Sequence, residues 1–269
     1  MSITLSPDLP DTALRDLEQA VARLEAPSLA VRLSALLGAP IEALQARMPA
    51  GAQSMVEGAV RGALGVAMQA ALRTAPSANP FPFPAHWVHR GLAAASGAAG
   101  GAFGLPGTLV ELPVSTTLLL RQIAAVAAEQ GEDLATKPAA AECLKVFALG
   151  GRDPRDDAAE AGYFAVRLAL SEALKGAVGG GIFSAVLPGF LGAIASRFAG
   201  PVMTKVTAQA APVIGAAGGA MVNLAFLEHF RGVAQGHFAV RRLERTHGVA
   251  PVQAAYAALL ATRDAKFLG

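Results

Sequence analysis

Apolar residues recur along this chain at helical spacing and nowhere alternate with polar ones over the length of a strand, so the pattern predicts an all-α protein. Leu14, Leu17, Val21 and Leu24 mark one helix, capped by Asp11 or Thr12 and carrying Asp16 and Glu18 in its first turns. Shorter helices follow over 28–37 and 41–48, punctuated by Gly38, Pro40 and Pro49, and a longer one over 53–73. In that longer helix Gly58 and Gly62 would let a neighbour pack closely. The stretch APSANPFPFP at 75–84 cannot be helical. Its prolines remove backbone donors and push the residues before them out of the α region. It predicts a connector, 76–84, between an N-terminal helical region, 1–75, and the remainder, 85–269.

The densest pattern lies at 97–133. A glycine-alanine run enters a turn at Gly104, Pro106 and Gly107 and leaves as an apolar helix that stops at Gly131, a good left-handed terminator. Thr108 and Glu111 have the spacing of a capping box, and Pro113 leaves a second possible start beside it. Further helices are predicted over 137–149 behind Thr136, from Asp153-Pro154 to about Lys175, over 213–245, and after Pro251.

Three windows, 91–110, 176–196 and 206–227, contain no charged residue. Within or near them glycines recur four apart, at Gly97/Gly101, Gly100/Gly104, Gly176/Gly180 and Gly215/Gly219, a spacing that lets helix backbones touch. The windows are long enough to cross a bilayer. Yet alanine and glycine dominate them, and Pro106, Pro188 and Pro212 interrupt them or bound their ends. The expectation is a multi-helix bundle with long glycine/alanine-rich hairpins packed on one another. Bilayer-contacting hairpins and short integral spans are the alternatives.

Composition sharpens this picture in three respects. Hydrophobic residues make up 53% and charged residues only 16%, and mean hydropathy is +0.44, between an ordinary soluble domain and a membrane protein. The formal charge of +2 and the absence of a basic, aromatic-interleaved cluster argue against nucleic acid as a partner. One cysteine, Cys143, excludes an intrachain disulfide, and the N-terminal sequence has no apolar signal core, so a cytoplasmic location is expected.

Candidate chemistry is sparse. Glu111, Arg121 and Asn223 are polar groups in or beside apolar runs, where an unpaired charge costs several kcal/mol, about 3–5 by mutation. On one helix Glu111 and Arg121 would lie about 80° and about three turns apart, so their partners must come from other elements. Arg231, Arg241, Arg242 and Arg245 form a basic surface suited to anionic lipid head groups at an inner membrane face, or to a membrane-protein partner. His86 and His89, or His229 and His237, share helical faces, but no cysteine pair or HExxH supports a metal site, and none is assigned. No GxSxG elbow, Walker loop or GxGxxG turn is present, so no cofactor and no catalytic residue is assigned.

Taken together, these blocks resemble the EcsC family. The family's glycine-rich segment, acidic-Leu-Pro step, Thr-Leu-Leu-rich helix with arginine and Gly-Glu-Asp ending are matched by 97–107, Glu111-Leu112-Pro113, Thr116 to Arg121 and Gly131-Glu132-Asp133. A second block is matched by Pro212 to Ala216 and Asn223 to Phe226, while Gln130 stands where the family usually has an aromatic residue. The resemblance covers about 85–245, and its implication is limited to a link with membrane transport, since the family is named from a gene beside an ABC-transporter ATPase and membrane subunit. It supplies no catalytic residue. The high hydropathy, the proline-broken windows and the basic helix, with no catalytic constellation, lead to the expectation of a non-enzymatic protein peripherally associated with the inner membrane face. An enzyme with a polar site at Glu111, Arg121 and Asn223 is the competing reading.

Overall fold

The structure, a computed structural model, describes residues 9–73, 85–151, 162–178, 183–210 and 215–267. It is 87% helical, with eleven helices and no strand among the described residues. In chain order these are α1 (Asp11–Leu24), α2 (Leu29–Leu37), α3 (Ile41–Gln45), α4 (Ala52–Arg73), α5 (Ala85–Ala102), α6 (Gly104–Glu129), α7 (Lys137–Leu149), α8 (Tyr163–Val178), α9 (Phe183–Ala210), α10 (Gly215–His247) and α11 (Val249–Phe267). The proline-rich connector and the segment around Asp153-Pro154 lie outside the described residues.

The long α10 is the spine. Phe226, Phe230, Phe238 and Val240 on it are buried and meet Phe147 of α7 and Phe198 of α9 in one aromatic-aliphatic core. Leu17 and Val21 of α1 and Val56, Val60 and Leu64 of α4 belong to the same buried cluster, so the N-terminal helices share this core.

Helix α5 runs antiparallel to α10, and α5 folds back on α6 at Phe103-Gly104. That break rests on backbone conformation. Gly104 has φ +62, a left-handed value that a β-carbon disfavours. The helix resumes at once, with Pro106 in the first turn, where its missing N–H costs nothing.

This start corrects the capping-box expectation. Thr108 lies inside α6 and its hydroxyl donates to the Gly104 carbonyl at 3.0 Å, while Glu111 points into the bundle. Pro113 is accommodated within the same helix, and the Thr117 hydroxyl donates to its carbonyl at 2.8 Å. Likewise α9 continues through Pro188 instead of breaking there. Helix α1 begins at Asp11 after Pro10, without a side-chain cap.

Candidate functional site

Four helices converge on a buried polar seam. From α9, Lys205 is fully buried, and its Nζ donates to Glu111 Oε2 of α6 at 2.7 Å and to Ser115 Oγ at 2.9 Å. From α10, Asn223 Nδ2 lies 3.1 Å from Glu111 Oε1, 2.9 Å from Ser96 Oγ and 2.6 Å from the Ala93 carbonyl of α5. The carboxylate is therefore held on one side by an ammonium and on the other by an amide. Burial pulls the Lys205 pKa below its ordinary value, against the opposing pull of Glu111. One turn beyond Lys205, Gln209 Nε2 donates to the Gly219 carbonyl at 3.3 Å.

Of the three polar candidates, the structure brings Glu111 and Asn223 together and leaves Arg121 apart. Arg121 is exposed on the α6 stripe that also carries Val110, Val114 and Ala128, so it needs no buried partner. Its apolar sequence surroundings concealed this, because the outward stripe is itself apolar. Lys205 was missed for a related reason. It stands alone at the edge of an uncharged window, and the signal was that a lone base there answers the lone acid, Glu111, bordering another.

Backbone approach builds the seam. A Cβ on Gly219 would lie 2.8 Å from Gly101 Cα and well inside contact with the Gly97 carbonyl, while one on Gly97 would lie 2.5 Å from the Gly219 carbonyl. This closeness brings Asn223 within reach of the Ala93 carbonyl. Gly107 meets Gly100 across the α5–α6 hairpin, where a Cβ would sit 2.8 Å from the Gly100 carbonyl.

Gly104 serves conformation instead of packing, since nothing lies within 4 Å of a Cβ there. Gly58 and Gly62 also have open space, so no neighbour approaches them closely. Gly180 lies outside the described residues, and of Gly176 and Gly215 only the helical backbone is described.

At the far end of α10 a second network is mostly ionic. His237 is fully buried, with Tyr163 Oη at 2.8 Å from its Nδ1 and Glu142 Oε2 at 3.1 Å from its Nε2. Burial pushes the imidazole down, and the neutral Nε2–H tautomer fits both partners, accepting from the phenol and donating to the carboxylate. Although burial opposes it, the hydrogen bond from His237 and the charges of Lys145 and Arg241 hold Glu142 well below the usual carboxylate range. Arg167 and Glu244 pair through two parallel contacts, at 2.9 and 2.6 Å.

The arginines expected to form a basic surface lie in this region or along α10, each beside a carboxylate. Arg241 and Arg245 share Glu132, Arg242 reaches Asp16 at 2.8 Å, and Arg231 lies 3.8 Å from Glu228. They form a mixed-charge face and not a bare basic one. His229 is separate, its Nε2 2.9 Å from the Gly150 carbonyl, and His89 Nδ1 lies 2.7 Å from Gln122 Oε1. The side chain of His86 lies outside the described residues.

The sequence profile of the EcsC protein family matches residues 86–243, more than half of the chain. The chain belongs to the EcsC family. No curated protein and no solved structure matches it.

The EcsC segment runs from α5 through most of α10 and contains every residue of the polar seam. It also contains an exposed apolar surface. Where α5 turns into α6, Phe103 is 76% and Val110 81% exposed, flanked by exposed Ala102, Pro106 and Val114. Because α10 is antiparallel to α5, its first turns, with exposed Ala216, Ala217 and Met221, lie at the same end. No residue of 91–110 or 206–227 is charged. Among the described residues, the α5–α6 turn and the start of α10 thus form an end without charge of their own, and about 30 Å along α10 from it lies an end laced with ion pairs. Among the described residues one helix, α6, is long and apolar enough to cross a membrane, and 56% of its most apolar window is buried in the bundle.

Proposed function

We propose that this EcsC-family protein is a non-enzymatic membrane-surface protein that seats the uncharged α5–α6 end in the outer part of a lipid leaflet. The observation that carries the reading is the exposure of Phe103, Val110 and Val114 on an end formed from two uncharged windows. Placing such a surface in an interface removes apolar area from water at about 25 cal/mol per Å², with no charge to desolvate. The first exposed charge along the α6 stripe is Arg121, whose long side chain suits the phosphate layer above an inserted tip. The paired arginines at the far end of α10 are badly placed for that contact, so attachment depends on apolar insertion more than on anionic lipid. An accessory role beside a membrane transport system, the reading suggested by the gene neighbourhood from which the family takes its name, accords with this placement.

Vesicle flotation tests it. The full chain should float with both zwitterionic and anionic vesicles and stay bound in high salt. Phe103→Asp and Val110→Asp should each release it, while Leu168→Asp, exposed on α8 away from this end, should not. Equal flotation of all four proteins, or none with any lipid, would sink the proposal.

A further inference from the structure

An open cleft of about 430 Å³ lies between α1, the start of α2 and the middle of α10. Its size falls within the range of small-molecule sites, about 300–1,000 Å³. Arg23 comes from the last turns of α1, Pro27 from the α1–α2 connection, Arg32 from α2, and Glu228, His229 and Gln235 from α10.

The charges around it are unbalanced. Glu228 already accepts from Arg90 at 2.5 Å and lies 3.8 Å from Arg231. Arg23 and Arg32 make no ion pair among the described residues. Among the described residues they are thus two planar donors without a carboxylate partner, both on one cleft and suited to a tetrahedral or planar oxyanion.

His229 adds a specific hydrogen-bonding element. Its Nε2 donates to the Gly150 carbonyl, which can only accept, so the neutral ring keeps the proton there and Nδ1 is an acceptor. Burial, and further the nearby Arg32 charge, against the pull of the Gly150 carbonyl, push this imidazole down to about 4, so it stays neutral at physiological pH. A ligand meeting both features carries an anionic group for the arginines and a hydroxyl or other donor for the imidazole.

We propose that this cleft binds a small hydroxylated phosphate ester, with its phosphate held by Arg23 and Arg32. Glycerol phosphate is the simplest such compound, and the same chemistry occurs in the head groups of phosphatidylglycerol. The cleft lies about 20 Å along α10 from Gly215, so it is well away from the uncharged end. The proposal does not depend on membrane insertion.

Titration calorimetry of the full chain at fixed ionic strength, with glycerol 3-phosphate and with inorganic phosphate, is the test. Saturable binding of the ester, tighter than that of inorganic phosphate, is expected. Arg23→Gln and Arg32→Gln should each weaken it by roughly tenfold, the value of one charge-assisted contact, whereas Arg15→Gln, on α1 outside the cleft, should not.

Vesicles containing phosphatidylglycerol separate the two sources. Arginine-dependent flotation of the Phe103→Asp protein on them, with no heat from the free ester, assigns the cleft to lipid head groups. Heat with the free ester and no such flotation assigns it to a soluble metabolite. No binding of either, or binding that survives the double arginine substitution, overturns the proposal. Loss of flotation by Phe103→Asp on zwitterionic vesicles bears only on the membrane reading, so the two proposals can fail separately.

Discussion

At the residue scale, buried charge organises two networks inside the bundle, the Glu111–Lys205 seam and the Glu142–His237 cluster. Glu111 and Lys205 illustrate an asymmetry. Removing one partner strands the other in an apolar interior, at about 3–5 kcal/mol, while replacing both is far less costly. Lys205→Met should therefore destabilise strongly. Adding Glu111→Gln, which keeps an acceptor for Asn223, should restore most of the loss in urea melts, and additive effects would show that the pair is not coupled. Arg121→Ala should change stability by less than about 0.5 kcal/mol, as exposed positions do.

His229 makes a pH prediction. Its folded pKa of about 4 lies below the unfolded value of about 6.5, so the unfolded chain takes up the proton first as pH falls. Stability is then lost from about pH 6.5 downward, at about 1.4 kcal/mol per pH unit and about 3 kcal/mol over the whole window. His237, also pushed down, steepens the loss. Urea melts between pH 7 and 5 should show a shallower slope for His229→Gln than for the native chain, and equal slopes would contradict the assignment. The sequence exposed these histidines as a shared helical face. It did not show that each has its own partner, because Gly150 and Tyr163 come from distant segments.

At the element scale, glycines that share one sequence signature have two separate uses, and some have neither. Gly97 and Gly219 permit backbone contact, Gly104 permits a left-handed turn, and Gly58 does neither. Gly97→Ala or Gly219→Ala should cost about 1–3 kcal/mol or more through overpacking against rigid backbone. Gly58→Ala, in a helix with open space, should stabilise by up to about 1 kcal/mol. Thermal melts of the three variants separate the contact glycines from the unconstrained one, and a neutral Gly97→Ala would mean that α5 and α10 do not approach as described. Helix type and most ends were legible, since Gly131 ends one helix and Thr136 caps the next by local chemistry. The start of α6 was not. Thr108 and Glu111 fit a cap locally, but Lys205 and Asn223, far along the chain, determine what Glu111 does.

At the scale of the whole molecule, periodicity disclosed that the chain is a bundle, and the family blocks disclosed its kinship. Which uncharged stretches face outward was not legible, because an alanine- and glycine-rich run reads the same in a core and on a surface. Phe103 and Val110 acquire meaning only when the α5–α6 turn and the start of α10 are seen to form one end. The central claim is that this end, and not the arginine-bearing face, meets the lipid. The chain has one tryptophan, Trp87, which is 61% exposed and about 24 Å along α5 from Phe103. Tryptophan fluorescence with bromolipid vesicles therefore tests the claim directly, comparing the native chain with the Trp87→Phe/Phe103→Trp variant. The account predicts a blue shift and strong quenching on vesicle addition for the variant, with little change for native Trp87. Quenching of Trp87 but not of the tryptophan replacing Phe103, or no quenching in either protein, would contradict it.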